Sequence, residues 1–141
     1  MAGAAFDGAK VALFVGDRLV LIRRDDDPSI PYPGLWDFPG GGREGAETPR
    51  ETAIRETREE VGADLSRAEW LHEGGFSSRI GTPIVFFVAR LPAGTPLRLG
   101  DEGTALRLAR PEEALALPDL IPSLAGALRG WWAARGGVTK D

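Results

Sequence analysis

The strongest constraint on the fold is a run of helix signals that closely follows three glycines at residues 40–42. Thr48 is a candidate N-cap, and Pro49 falls at the first helical position. Glu51 completes a Thr-x-x-Glu capping box, and Gly62 supplies a stop after the apolar periodicity ends. The sequence therefore predicts a helix that begins after Thr48 and ends before Gly62.

The charged residues of this helix raise a question of function. At about 100° per residue, Glu56, Glu59 and Glu60 share an arc beside the apolar stripe. Most such charges belong to a solvated face, where ion pairs contribute about 0.2–0.5 kcal/mol each. Glu56 and Glu60, however, are like charges four residues apart, which is unfavourable unless a cation lies between them. Oxygen ligands suit Mg²⁺ or Mn²⁺, so a metal site is the alternative to a solvated face.

The glycine run has two interpretations as well. Most glycine runs are turns that need positive φ. Here the helix follows within a few residues, and bare backbone would let a phosphate or a metal ion approach closely.

Composition limits the remaining classes of function. A chain of 141 residues fits one domain, residues 1–141. Seventeen Lys plus Arg against 21 Asp plus Glu give a net charge of −4, the wrong sign for binding a nucleic acid polymer through its phosphates. The chain contains no cysteine, which excludes disulfides, thiolate catalysis and Cys-ligated zinc. It also lacks a signal-peptide pattern and an apolar membrane span, so we expect a cytoplasmic protein with no membrane partner.

The other segments mix strand and helix patterns, which predicts a layered α/β domain. We expect a hairpin in residues 10–24, strands within 35–38, 68–79, 82–91 and 105–110, and helices within 111–117 and 121–136.

The spacing around the helix carries a resemblance to a known family. Residues 41–63 resemble the Nudix box, which runs Gly, five residues, Glu, seven residues, Arg-Glu, an apolar residue, any residue, Glu-Glu, any residue, Gly and an apolar residue. Only Thr57 and Ala63 depart, standing where larger apolar residues are usual. The segments "LVLIRRDDD", "GLWDFPGG" and "GDEGTALRLA" are also similar to MutT-like members. The chain is identified as a member of the Nudix hydrolase superfamily. The fixed positions are filled by Gly41, Glu47, Arg55, Glu56, Glu59, Glu60 and Gly62.

The resemblance implies a three-layer α/β/α sandwich with a mixed β-sheet, and Mg²⁺-dependent hydrolysis with Mn²⁺ as the alternative ion. It implies that Glu59, Glu60 and the Gly40 carbonyl are metal ligands. Glu56 is implied to be a further ligand or the base that activates water, and Arg55 is implied to orient the glutamates.

The resemblance assigns roles to further residues near the box. Glu47 is implied to be a structural or outer metal contact, and Gly41 and Gly62 are implied to be structural. Glu102 matches a late-loop glutamate that MutT-like enzymes recruit to the metal, although an exposed turn residue is equally plausible there. Which of the glutamates acts as the base stays open.

Several residues outside the box are candidate substrate contacts. Arg23 and Arg24 resemble a phosphate-contacting arginine, and Arg79 is a weaker candidate of the same kind. The aromatic ring of Phe38 is placed to stack on a base, with core packing as the alternative. Asp119 lies near the position from which an asparagine reads the base in MutT-like enzymes, and its carboxylate can accept from a purine.

The substrate implied by the resemblance is a small molecule, a nucleoside diphosphate linked to another moiety. We favour a nucleoside triphosphate, including oxidised forms, cleaved to nucleoside monophosphate and pyrophosphate. An NDP-sugar or dinucleotide is the alternative substrate, and a non-catalytic nucleotide-sensing module is the alternative function. The complete set of box glutamates favours an enzyme over a sensor. Family members are often dimers, which leaves a homodimer open.

Overall fold

The computed structural model describes residues 5–77 and 83–135, in which seven strands form one sheet and three α-helices flank it. A 3₁₀ turn, Leu65–Arg67, follows the first helix. The strands are β1 (Gly8–Val15), β2 (Arg18–Arg23), β3 (Trp36–Asp37), β4 (Gly40–Gly42), β5 (Glu69–Ser77), β6 (Pro83–Leu91) and β7 (Ala105–Ala109). The helices are α1 (Pro49–Val61), α2 (Pro111–Ala116) and α3 (Pro122–Ala134).

The sheet is mixed because its central pair is parallel. Strand β1 runs parallel to β6, with Gly8 opposite Ile84 and Val15 opposite Leu91. The other pairings are antiparallel: β1 with β2 and with β4, β2 with β3 and with β7, and β5 with β6. The path through the sheet is β3-β2-β1-β6-β5, and β4 and β7 join it beside β1 and β2.

Both faces of the sheet are covered, because side chains alternate along each strand. On one face, Val11 and Leu13 of β1 pack in a cluster that includes Ala53 of α1. On the other face, Phe14 packs in a cluster that includes Leu128 of α3. The expected three-layer α/β/α arrangement is therefore confirmed, and burial on both faces explains the continuous apolar runs of β1 and β2.

Helix α1 begins and ends where the sequence predicts. The Thr48 hydroxyl accepts from the Glu51 backbone N–H at 3.2 Å, and the Glu51 carboxylate accepts from the Thr48 N–H at 2.8 Å. Gly62 ends the helix in the left-handed conformation, with φ of 74°, and its N–H donates to the Arg58 carbonyl. These local hydrogen bonds fix the direction in which the box glutamates project.

The glycine run forms a short strand, and not the turn that was one of its two interpretations. Gly40–Gly42 form β4 and pair antiparallel with Lys10, Ala9 and Gly8 of β1. Within the run, only Gly40 has a positive φ, of 136°. A Cβ on Gly40 would overlap the Ala9 carbonyl oxygen, so this close approach of two backbones requires glycine there.

None of the helices in residues 5–77 and 83–135 combines the length and apolar character needed to cross a bilayer.

Candidate active site

Strand β4 and helix α1 bring Gly40 against Glu60. The Gly40 N–H donates to Glu60 Oε1 at 2.8 Å. Burial raises the pKa of Glu60 to about 8, although the positive charge of Lys10 and the Gly40 N–H both oppose this rise. Glu60 is therefore a carboxyl whose charge is poorly compensated inside the protein.

The guanidinium of Arg55 holds the other side of the box together. Its Nε donates to Glu47 at 2.6 Å, and its Nη2 donates to the Gly42 carbonyl at 2.8 Å. Its Nη1 contacts Glu56 at 3.2 Å and Glu59 at 3.3 Å. The hydrogen bond from Arg55 is the main reason that the pKa of Glu47 falls to about 2, and the same pairing raises the pKa of Arg55.

Gly41 leaves space for the carboxylate of Glu56. A Cβ on Gly41 would lie 2.5 Å from the Glu56 carboxyl carbon, closer than real Cβ atoms approach. Burial raises the pKa of Glu56, and the neighbouring charge of Arg55 opposes the rise. Glycine at this box position is thus explained by the glutamate that packs over it.

The loop after β6 carries Glu102 to the same region. The Gly100 N–H donates to the Glu60 carbonyl at 2.8 Å, and the Arg98 N–H donates to the Val61 carbonyl at 2.9 Å. These bonds tie the loop to unpaired carbonyls at the end of α1. As a result Glu102 and Glu60 line one cleft of about 220 Å³, which we call the acidic cleft. Its other lining residues are Ile22, Arg24, Asp25, Ile30, Asp37 and Gly103.

The oxygen atoms around the acidic cleft suit a hard divalent cation. Burial raises the pKa of both Glu60 and Glu56, and the Gly40 backbone lies beside Glu60 through its N–H. Across residues 5–77 and 83–135, no three Asp, Glu or His side chains already converge into a metal cage. Mg²⁺ does not require one, because it keeps several waters and takes one or two carboxylates plus substrate phosphates. The donor set fits such an ion.

A second cavity, of about 180 Å³, lies on the α3 side of the sheet and is called the apolar cavity. Arg24 and Asp37 line both this cavity and the acidic cleft. Arg24 Nη1 donates to Asp37 Oδ2 at 2.9 Å, and Arg24 Nε donates to the Pro31 carbonyl. The Arg24–Asp37 ion pair therefore forms a common wall between two chemically different spaces. The apolar cavity is also lined by Lys10, Pro31, Tyr32, Phe76, Ile84, Ile121, Ser123 and Leu124.

Comparison with known proteins identifies the family. The NUDIX domain profile matches residues 6–129. The chain belongs to the Nudix hydrolase family. This Nudix domain is 34% identical to the CTP pyrophosphohydrolase of Escherichia coli K12 over 110 residues, covering 77% of this chain and 78% of that protein.

Two further relatives of the Nudix domain differ in how much they cover. The RNA pyrophosphohydrolase of Gluconacetobacter diazotrophicus is 39% identical over 62 residues, and the alignment spans 38% of this chain and 37% of that protein. The solution structure of the E. coli ORF135 protein is 29% identical, with a TM-score of 0.66, and covers 99% of this chain and all of that one. The mixed α/β fold expected from the box is confirmed.

The candidate substrate residues of the Nudix domain have different surroundings. Arg24 lies in the common wall and lines both cavities. Arg23 instead pairs with Asp119 at 2.9 Å and stacks over Trp36, so each of the two candidates is engaged by the other. The expectation that Phe38 stacks on a base is wrong, because its side chain is fully buried in the core. Arg79 lies outside the described residues.

Two residues of the site were not predicted from the sequence. Lys10 Nζ donates to Asp37 Oδ2 at 2.9 Å and to the carbonyls of Phe38 and Gly40 at 3.3 Å each. Asp37 is only 5% exposed. A lysine within the otherwise apolar run of β1 was the available signal, since an inward-facing charge needs partners.

A larger cavity, of about 950 Å³, lies between β5, β6 and the start of α1. Its only box glutamate is Glu47, which already pairs with Arg55. It therefore offers no unpaired box carboxylate to a metal ion.

Proposed function

We propose that this Nudix domain is a Mg²⁺-dependent hydrolase that cleaves a nucleoside triphosphate to a nucleoside monophosphate and pyrophosphate. The observation that carries the proposal is the common wall between the apolar cavity and the acidic cleft. A nucleotide has one apolar, aromatic end and one polyanionic end. Adjacent cavities of those two characters, separated by a single ion pair, match the two ends of such a molecule.

The apolar cavity suits the base. Cavities of about 150 Å³ accommodate benzene, so a space of about 180 Å³ can admit an aromatic ring of the base. Tyr32, Phe76 and Ile121 supply aromatic and aliphatic surface. From there the phosphate chain would pass Arg24 and reach Glu60 in the acidic cleft.

The reaction itself is attack of water on phosphorus, with breakage of one bridging P–O bond and departure of pyrophosphate. Glu56, Glu59, Glu60 and the Gly40 carbonyl would hold Mg²⁺, with Glu102 as a further ligand. When bound, Mg²⁺ neutralises phosphate charge and lowers the pKa of bound water. One of Glu56, Glu59, Glu60 and Glu102 would accept the proton lost by the attacking water.

Similarity to named proteins supports a nucleotide substrate and guides the choice of candidates. The E. coli relative is a CTP pyrophosphohydrolase and aligns with 77% of this chain. We therefore favour a nucleoside triphosphate over an NDP-sugar or dinucleotide, and place CTP and oxidised guanine triphosphates first among candidates.

The test is product chromatography after incubation with Mg²⁺ and a panel of canonical and oxidised nucleoside triphosphates, NDP-sugars, ADP-ribose and dinucleotides. We expect one triphosphate to yield its monophosphate and pyrophosphate. Glu59→Gln should reduce kcat by about 100-fold or more, because it removes a charged metal ligand. Glu112→Gln, which removes an exposed carboxylate from α2, should leave kcat unchanged.

Two results would contradict the proposal. Full activity of Glu59→Gln would remove that residue from the mechanism. Tight binding of one nucleotide without turnover of any panel member would favour the sensing module instead.

A further inference from the structure

Lys10 occupies an unusual position for a lysine. Its neighbours on the same face of β1, Ala12 and Phe14, belong to the apolar core beneath α3. Only 20% of the Lys10 side chain is exposed. Its ammonium donates to three oxygens, those of the Asp37 carboxylate and of the Phe38 and Gly40 carbonyls. A buried charge with this many partners is costly to remove and is held in one place.

The charges at the common wall do not cancel. Lys10 and Arg24 both contact Oδ2 of Asp37 at 2.9 Å. The other carboxylate oxygen of Asp37 accepts from the Phe38 N–H at 2.8 Å. Two cations thus share one carboxylate, so the common wall and Lys10 together carry a net positive charge at the polar end of the apolar cavity.

The same ammonium also faces the Nudix box. It bonds to the carbonyl of Gly40, whose N–H binds Glu60. Gly40 therefore links the ammonium of Lys10 to the carboxylate of Glu60, so the charge of Lys10 acts on any other cation that binds beside Glu60.

We propose that Lys10 is a fixed positive charge of the site, which attracts the phosphate nearest the nucleoside and weakens divalent-ion binding in the absence of nucleotide. This inference rests on the proposed function. A nucleotide with its base in the apolar cavity must pass the wall, where an ammonium attracts its first phosphate. The same charge repels a divalent ion near Glu56 and Glu60. The metal and the nucleotide would consequently bind better together than apart.

A purely structural role makes a different prediction. If Lys10 only anchors the segment from Asp37 to Gly40 on β1, its loss should displace that segment and weaken binding of metal and nucleotide alike. An electrostatic role changes the two affinities in opposite directions. The sign of the two changes therefore separates the roles.

The experiment compares the wild-type protein with Lys10→Met, which keeps the length of the side chain and removes its charge. Mn²⁺ binding without nucleotide is measured from the electron paramagnetic resonance signal of the free ion. Binding of CMP and dGMP is measured by calorimetry in EDTA, with cytidine and deoxyguanosine as phosphate-free controls. We expect Mn²⁺ to bind at least about threefold more tightly. We expect the monophosphates to bind about tenfold or more weakly, with nucleoside affinity unchanged.

Two matched variants complete the design. Lys10→Arg keeps the charge and should stay within about threefold of wild type for both ligands. Arg18→Met removes an exposed positive charge at the start of β2 and should change neither affinity. If thermal melts show that Lys10→Met does not fold, Lys10→Gln replaces it, because its amide can still donate to Asp37.

The outcomes are distinct. Weaker binding of both ligands to the variant, or no change in either, would overturn the role of Lys10 while leaving the proposed function standing. A wild-type protein that hydrolyses a triphosphate but binds neither monophosphate would also overturn the role of Lys10 alone. Failure of the wild-type protein to hydrolyse any triphosphate would overturn the proposed function, and this inference with it.

Discussion

The two ends of the Nudix box place the same side chain in opposite environments. At one end, Glu47 pairs with Arg55 and caps the Glu44 N–H, and its pKa falls to about 2. At the other end, burial raises the pKa of Glu60 to about 8, and the Gly40 N–H only partly compensates. A glutamate whose negative charge is balanced by ion pairs and hydrogen bonds suits a structural role. A glutamate whose charge is not balanced is available to a cation or a proton.

Within the glycine run, Gly40 and Gly42 contact opposite ends of the box. Gly40 donates its N–H to Glu60, and Gly42 gives its carbonyl to Arg55. Gly40 has a backbone conformation that other residues avoid, but Gly42 does not. Although the two residues are both glycine, their roles differ. Gly40 is required for its backbone conformation, whereas Gly42 contributes a carbonyl to a hydrogen bond.

The largest effect is expected from breaking the shape requirement. In Gly40→Ala, the new Cβ would overlap the Ala9 carbonyl oxygen and lie 2.8 Å from the Cα of Lys10. We expect the free energy of unfolding to fall by about 3 kcal/mol, measured by urea denaturation. In Gly42→Ala, the nearest atom is the Asp7 carbonyl oxygen at 3.9 Å, so the loss should stay below about 1 kcal/mol. Equal losses in the two variants would contradict this division.

Removing Arg55 tests the hydrogen-bonded end. Arg55→Met leaves Glu47, Glu56 and Glu59 without their shared cation, so we expect a loss of about 2 kcal/mol in the free energy of unfolding. Arg58→Met is the matched control, because Arg58 is exposed and makes one ion pair with Asp64. It should cost at most about 0.5 kcal/mol. If Arg58→Met is as unstable as Arg55→Met, the loss of stability comes from the net charge of the helix and not from the ion pairs of Arg55.

The pH dependence of stability should distinguish Glu60 from Glu47 in metal-free protein. The pKa of Glu60 is higher in the folded chain than the ordinary 4.5, so its contribution to stability is complete below pH 4.5 and is lost as pH rises through about 8. The pKa of Glu47 is lower in the folded chain, so its contribution is present above pH 4.5 and is lost as pH falls toward about 2.

Denaturation across this pH range, in EDTA, compares wild type with the two glutamine variants. Glu60→Gln should gain stability relative to wild type between pH 4.5 and 8. Glu47→Gln should instead be most destabilised above pH 4.5 and approach wild type near pH 2. Parallel pH profiles for the two variants would show that their environments do not differ as described.

The smallest effect concerns two buried threonines of α1. Thr57 Oγ1 has no hydrogen-bond partner within the described part of the chain, whereas Thr52 Oγ1 donates to Glu47 at 2.9 Å. Thr57→Val should therefore raise the free energy of unfolding by about 1 kcal/mol, because an unpaired buried hydroxyl is replaced by a methyl group. Thr52→Val should lower it by about 1 kcal/mol. Calorimetric melting temperatures that move in the same direction would contradict the assignment.

The sequence predicted what depends on local interactions. Helix α1 was identified with both ends correct, because Thr48, Glu51 and Gly62 act within a few residues of one another. The expected hairpin appears as β1 and β2, broken at Gly16 and Asp17. Local signals also made the box recognisable as a unit.

Contacts between distant segments were not predictable in the same way. Strand β4 exists because β1 lies beside it, and glycine has little strand propensity of its own. The common wall of Arg24 and Asp37, together with Lys10, joins three separate segments of the chain. Phe38 was misassigned because an aromatic residue beside the box can either pack in the core or stack on a base. Only the burial of its side chain in the folded protein distinguishes these two roles.

The parallel pairing of β1 with β6 has a consequence for the order in which the protein forms. Strand β1 can pair with β6 only after the chain has closed a loop from Gly8 to Ile84. Closing such a long loop slows folding. Helix α1 and the β1–β2 hairpin need no such closure and can form early. On the ribosome, the apolar cavity cannot be completed until β6 and α3 have emerged. We therefore expect the nascent chain to form its box helix well before it completes the apolar cavity.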